Sequence, residues 1–307
     1  MNQKRDLNRI SMMLVVFNIV MGLTTVIVSV VMEGAGLTME HMGRDGSLFY
    51  EFGPVSGYLA GLLAGILVIV IFSKKVLFLH SVDVQNKHMG ILDFFTAVMI
   101  LFGFQMFYSI FSTTVEQILN QCGLSLQSEI DAATGMGMNV SMVLYTVIAG
   151  PVAEELVFRG VLLRSFEKYG KVFAIVCSAF LFGAYHGNFL QGMFAFTTGV
   201  LFAYIAEEYS IRWSIALHLL NNFTTIALGY AQKLVGEGKL DGAANLLFLV
   251  CMIGTVLWLV KNRKAVKQYI SGNPMVPGTL WIAATRPAFL VFIGYEVLLA
   301  CAGVRRI

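Results

Sequence analysis

Three motifs that carry polar side chains interrupt stretches that are otherwise apolar: Glu154, Glu155 and Arg159; His186 with Phe182 one turn before it; His218 and Asn222. Glu155 and Arg159, Phe182 and His186, and His218 and Asn222 each stand four residues apart, a spacing that returns a side chain to the same helix face about one turn on. A carboxylate, an imidazole or an amide in hydrocarbon costs several kcal/mol unless it faces the interior of a bundle, so these groups mark a candidate site. The chemistry they offer is proton transfer by glutamate and histidine, with histidine and asparagine as hydrogen-bond donors to a developing oxyanion.

The spacing also separates the two acids. Glu155 and Arg159 pair on one face, whereas Glu154 points about 140° away from Arg159 in helical projection. Glu155 therefore reads as the structural partner of Arg159 and Glu154 as the free carboxylate, suited to act as a general base. Pro151 lacks a backbone donor and frees a carbonyl one turn back, which predicts a kink beside them. The opposing reading is an ion-pair knot that only fixes helix packing. At about 1.5 Å per residue, Glu154 lies about 18 Å and His186 about 22 Å from the basic ends of their segments, and His218 and Asn222 about 9 and 15 Å. Phe182 shares a face with His186 and shapes or dries the pocket, although a lone histidine in an apolar helix also serves as a bridge between helices. Asn221 is turned away from Asn222 and is set aside.

The elements that must position these groups are membrane helices. Apolar residues make up 57% of the chain and charged ones 13%, with a mean hydropathy of +0.76, against about 25% charged in soluble proteins. Apolar runs at 10–32, 52–73, 91–113, 138–163, 172–188, 190–206, 213–231 and 242–260 predict eight spans. A ninth run, 287–303, opens at Arg286-Pro287 and carries Glu296, so it either crosses or packs on the bundle. The expected fold is an all-α polytopic transmembrane bundle, one integral membrane domain over 1–307 with its motif-bearing core at 138–231 and the site cavity among helices four to seven.

The start of the chain, Met1–Arg9 before a long apolar run with no small-residue cleavage pattern, predicts a retained first span. With the amino terminus cytoplasmic, that side collects Lys4, Arg5, Arg9, Lys74, Lys75, Lys87, Arg164, Lys168, Lys171, Arg212, Lys261, Arg263, Lys264, Lys267 and Arg286. Opposite them stand only Arg44, Lys233, Lys239 and, if the ninth run crosses, Arg305 and Arg306, so the positive-inside rule favours this orientation in a plasma (inner) membrane. The net charge of +3 reflects these border bases and no nucleic-acid partner is expected. Gly57, Gly61 and Gly65 form a small-residue stripe that predicts close packing inside this chain rather than a homodimer face. Residues 115–137 read as a polar loop with room for a short amphipathic helix. Cys122, Cys177, Cys251 and Cys301 show no CxxC spacing and read as buried free thiols.

No serine or cysteine has a comparable set of partners; Cys177 and Ser178 are not spaced to lie over His186. There is no HExxH pair, and the estimated depths of His186 and His218 differ by about 13 Å, so the favoured chemistry requires no cofactor. A zinc ion held by Glu154, His186 and His218 is the alternative. The ordered motifs E-E-x-x-x-R, F-x-x-x-H and H-x-x-x-N on successive helices resemble the CPBP intramembrane endopeptidase family, also called the CAAX protease and Abi family.

The resemblance, over about residues 138–231, implies an intramembrane endopeptidase in which Glu154 and His186 activate a water, His218 and Asn222 stabilise the oxyanion, and Glu155 and Arg159 hold the site in shape. The implied partners are membrane lipid and a peptide or protein substrate, with or without a lipid group. A non-catalytic immunity or scaffold protein, or a proton-coupled transporter, are the competing classes; the chain shows no paired repeats of the transporter kind.

Overall fold

The computed structural model describes residues 3–35, 48–73, 86–127, 140–236 and 240–307, without the side chains of 48–54 and 241. Arg44, Lys74, Lys75 and Lys239 fall outside them, as do most of 33–51 and the end of 115–137. The described chain is all-α. Its helices are α1 Gln3–Gly34, α2 Leu48–Ser73, α3 Ile91–Gln121, α4 Val140–Tyr169, α5 Lys171–Ala184, α6 Phe189–Glu208, α7 Ile211–Val235, α8 Asp241–Gly272, α9 Thr279–Ala284 and α10 Pro287–Ala302.

Six of these, α1, α2, α3, α4, α6 and α8, are long and apolar enough to cross a membrane. The remaining expected spans differ for physical reasons. α7 has 25 residues, but His218, Asn221 and Asn222 in its first half lower its hydropathy. α5 and α10 have 14 and 16 residues, about 21 and 24 Å of helix against about 30 Å of hydrocarbon. α10 lays Ala288, Phe292 and Glu296, one helical face, against the bundle, and runs parallel to α1: the Ala288 N–H donates to Asn8 Oδ1 (3.2 Å) and Asn18 donates to Glu296.

A two-residue antiparallel pairing of β1 Leu124–Ser125 with β2 Arg305–Arg306 brings the carboxy-terminal residues beside the end of α3. α3 itself continues to Gln121, so the first part of 115–137 is helix rather than loop. Glu116 closes it by accepting from Ser125 Oγ (2.5 Å) and the Leu126 N–H (2.7 Å).

The glycine stripe packs within the chain, as expected. A Cβ on Gly61 would stand 2.6 Å from the Met21 carbonyl and run into Thr25 Oγ1, and one on Gly57 would stand 2.9 Å from the Thr25 carbonyl, so α2 approaches the backbone of α1. α5 and α6 form an equally close hairpin, the Gly183 position meeting the Gly192 carbonyl at 2.7 Å. All four cysteines are free, but Cys122 and Cys301 are exposed rather than buried.

The ends of the elements gather the bases on one end of the bundle. Lys87 and Lys171 both pair with Glu208, and Arg164 with Glu207 (2.9 Å). Lys168 pairs with Asp6, and Tyr269 of α8 donates to Glu208 (2.9 Å). Helix ends that the charge pattern assigned to one side are thus held together by ion pairs. Replacing Gly61 with alanine forces backbone apart and is expected to lower stability by about 1–3 kcal/mol; Gly22→Ala, where a Cβ meets nothing within 4 Å, leaves it unchanged or raises it by up to about 1 kcal/mol. Thermal unfolding in detergent checks both.

Candidate active site

The site begins with irregular backbone. Within α4, residues Tyr145–Ala149 and Leu156–Leu163 are π-helical and flank a regular turn at Gly150–Glu155. The Gly150 N–H reaches back five residues to the Tyr145 carbonyl. In that register the Thr146 carbonyl would accept from residue 151, which is proline and has no N–H. Asn222 Nδ2 of α7 donates to that carbonyl at 2.9 Å. The kink expected from Pro151 is therefore a π-bulge, the form in which helices often accommodate functional sites, and Asn222 closes it.

Glu155 and Arg159 are completely buried and paired at 2.9 Å. One oxygen of Glu155 takes both Arg159 Nη1 and His218 Nδ1 (2.9 Å), and the other accepts from Ser214 Oγ at 2.5 Å. Ser214 also lies 3.0 Å from the Phe202 carbonyl; its single proton goes to the charged, closer acceptor. Arg159 Nη2 donates to the Gly199 carbonyl (3.2 Å), and its guanidinium stands 4.2 Å over the Phe182 ring. The Nη2 atom lies 3.1 Å from where a Cβ on Gly199 would be, so α6 passes close only because that position is glycine. The assignment of Glu155 as the partner of Arg159 holds in the geometry.

Glu154, by contrast, keeps 22% of its side chain exposed, with Oε2 at 3.7 Å from His218 Nε2. That gap exceeds a hydrogen bond, and an oxygen set beside it at about 2.8 Å can contact both groups. Because His218 Nδ1–H is turned to Glu155, Nε2 is the nitrogen presented to Glu154. His186 lies beyond the end of α5, in the turn Tyr185–Asn188 of the α5–α6 hairpin, not within a span reaching 188. The helix end leaves the Phe182 carbonyl without its usual amide, and His186 Nδ1–H donates to it at 2.8 Å, again leaving Nε2 available. Gly187 at φ +54° turns the chain into α6, a left-handed conformation that favours glycine.

Phe182 is the platform of the site. Its ring packs edge-on against His186 at 4.9 Å and His218 at 5.7 Å. The depth gap of about 13 Å expected between the two histidines is accordingly not found. The reason lies in the α6–α7 connection, where Ser210 and Ile211 are buried and Asn86 binds the Glu207 and Tyr209 carbonyls; α7 begins inside the protein, so counting from its start underestimates depth.

The candidate residues expected from the sequence are thus brought together by α4, the α5–α6 turn and α7. Sequence reasoning missed three contributors. Ser214, four residues before His218, carries a helical spacing that identifies it. Gln105 of α3 donates to Asn221 (2.8 Å), which donates to Asn222 (3.1 Å), so the asparagine set aside links the site to a further helix. Glu296 is buried, with an oxygen 3.2 Å from a Cβ placed on Gly187. Among the described residues no group of three His, Cys, Asp or Glu side chains is placed to hold a metal ion; both Nδ1 atoms are turned to oxygen acceptors, which leaves Nε2 of His186 and of His218 free.

Residues 136–224 match the family model described as type II CAAX prenyl endopeptidase Rce1-like. The match covers the segments that carry Glu154, His186, His218 and Asn222, agrees with the CPBP resemblance of the motifs, and supports an intramembrane protease at the family level. No curated protein and no solved structure matches the chain.

Arg159→Leu leaves the Glu155 carboxylate buried without its cation, an event worth about 3–5 kcal/mol, whereas Glu154→Gln is expected to be nearly neutral for folding. Thermal unfolding of the two variants in detergent checks the division; equal losses would remove it.

Proposed function

We propose that the chain is an intramembrane endopeptidase that hydrolyses a peptide bond of a membrane-associated or CAAX-like substrate with a water activated by glutamate and histidine. The observation that carries the reading is the accessible Glu154 carboxylate facing His218 Nε2, beside a buried network that fixes the imidazole. A purely structural ion-pair knot accounts for Glu155 and Arg159 but leaves Glu154 without a role.

In this reaction Glu154 takes a proton from the water as its oxygen attacks the carbonyl carbon, with His186 Nε2 orienting the water. Negative charge on the former carbonyl oxygen is met by His218 and Asn222. His218 meets that charge as an imidazolium that has taken its Nε2 proton from solvent before the attack and keeps it throughout, with Glu155 on Nδ1 balancing its positive charge. One N–H of the Asn222 amide holds Thr146, and the second is the donor offered to the oxyanion. The C–N bond then breaks and the departing nitrogen takes the proton held by Glu154. No step is routed through a metal. The amino terminus and the basic end face the cytoplasm of a plasma (inner) membrane, which the asymmetry of lysine and arginine supports. The match to type II CAAX prenyl endopeptidases directs the substrate search to prenylated carboxy-terminal peptides.

Protein reconstituted in liposomes and given a quenched fluorescent peptide ending in a CAAX sequence, with and without a farnesyl group, tests the proposal. Glu154→Gln and His186→Ala are each expected to lower cleavage by about 10² or more. Full turnover by the Glu154→Gln protein would place the chemistry elsewhere. Asn222→Ala is expected to lower the rate by about 10²–10³. Zinc analysis and chelator treatment of active protein are expected to find turnover independent of metal; one zinc per chain, with activity lost on chelation and restored by zinc, overturns the metal-free mechanism.

A further inference from the structure

Away from the site, a cavity of about 250 Å³ opens at the basic end between the start of α1, the end of α2 and the end of α4. Arg9, Arg164 and Lys168 line it against a single acid, Asp6, over an apolar floor that includes Ile10 and Phe72. Part of this charge is already engaged. Arg164 Nη1 is held by Glu167 and Glu207 and its Nη2 donates to the Ala206 carbonyl (2.9 Å), Lys168 is paired with Asp6, and one Arg9 nitrogen donates to the Phe72 carbonyl (2.9 Å).

Two donors among the lining residues are not engaged. Arg164, with 9% of its side chain exposed, has a buried Nε that finds no acceptor in the protein, and the buried Ser73 Oγ has none either. A buried donor left unpaired is costly, and two beside one cation-lined cavity call for a ligand rich in acceptor oxygens. Ser165 adds a second hydroxyl to the lining. Tetrahedral phosphoryl oxygens suit this set of guanidinium, ammonium and hydroxyl donors.

The surroundings indicate what the phosphoryl group is attached to. Leu63, Leu67 and Ile71 form an exposed apolar stripe along α2 that ends beside Phe72 and Ser73, a path for acyl chains leading away from the cavity. We propose that the cavity is a binding site for the phosphate of an anionic phospholipid headgroup, which ties α1, α2 and α4 together at the end of the helix that carries Glu154.

The test reads stability rather than proteolysis, so it stands apart from the proposed activity. Purified protein in neutral detergent is titrated with short-chain phosphatidylglycerol, with diacylglycerol of the same chains, and with inorganic phosphate, following the unfolding midpoint. Phosphatidylglycerol is expected to raise the midpoint saturably while diacylglycerol does not. In Arg9→Gln/Lys168→Gln the concentration giving half the shift is expected to rise about tenfold or more. Ser73→Ala loses one hydroxyl and a buried orphan, so its midpoint without lipid is unchanged or higher and its response to lipid is smaller, which keeps the test decisive if the double variant fails to fold. An equal shift with diacylglycerol, or an undiminished response in Ser73→Ala and in whatever double variant folds, overturns the site. A full shift with inorganic phosphate alone overturns the lipid assignment in favour of a soluble phosphate ligand.

Discussion

An ion pair with no access to solvent, Glu155–Arg159, is the constraint from which the rest of the site follows. Removing two charges from water costs several kcal/mol per ion, and their attraction repays it only if the remaining hydrogen-bonding capacity is filled. Here most of it is filled by three other elements: Ser214 and His218 of α7 on the carboxylate, the Gly199 carbonyl of α6 and the ring of Phe182 of α5 on the guanidinium, whose Nε alone has no acceptor. Four helices must meet at one point for the pair to exist. Once they do, His218 has a fixed ring orientation, and Glu154, the next residue in the chain, faces the nitrogen that Glu155 leaves over.

The backbone bends to serve this arrangement. A regular helix leaves no main-chain acceptor for a neighbouring helix to claim, and in a bilayer a free carbonyl is tolerated only where protein or water satisfies it. The π-bulge ahead of Pro151 creates one such acceptor for Asn222, and the end of α5 creates another for His186. Two of the polar side chains proposed for catalysis are thus oriented by carbonyls that an uninterrupted helix would have consumed. This fits the general observation that irregular backbone at membrane depth occurs at functional positions.

The two ends of the bundle are built differently. At the basic end, carboxylates at the foot of α6 bind lysines and an arginine from three other segments, and Arg164 joins this network to the cavity between α1, α2 and α4. Along the flanks, residues such as Leu67, Leu92 and Leu298 are largely exposed, as expected where lipid rather than water is the solvent. The candidate active site is built elsewhere, from α4, the α5–α6 turn and α7.

Much of this was legible in the sequence because it depends on local spacing and composition. Hydropathy runs give helices wherever a bilayer forces backbone to bond within its own segment, and the four-residue interval pairs Glu155 with Arg159 whatever surrounds them. The glycines of α2 likewise announce a close helix contact. What the sequence left undecided was distance between segments. Counting residues from span ends assumes that helices start level, and the buried start of α7 breaks that assumption, bringing His218 to Phe182 and Glu154. The shortness of α5, which puts His186 in a turn, the π-register of α4, and the partners Gly199 and Gln105 have no local signature, since each depends on which helices lie side by side. Periodicity fixes the face on which a side chain projects; only packing decides what stands opposite.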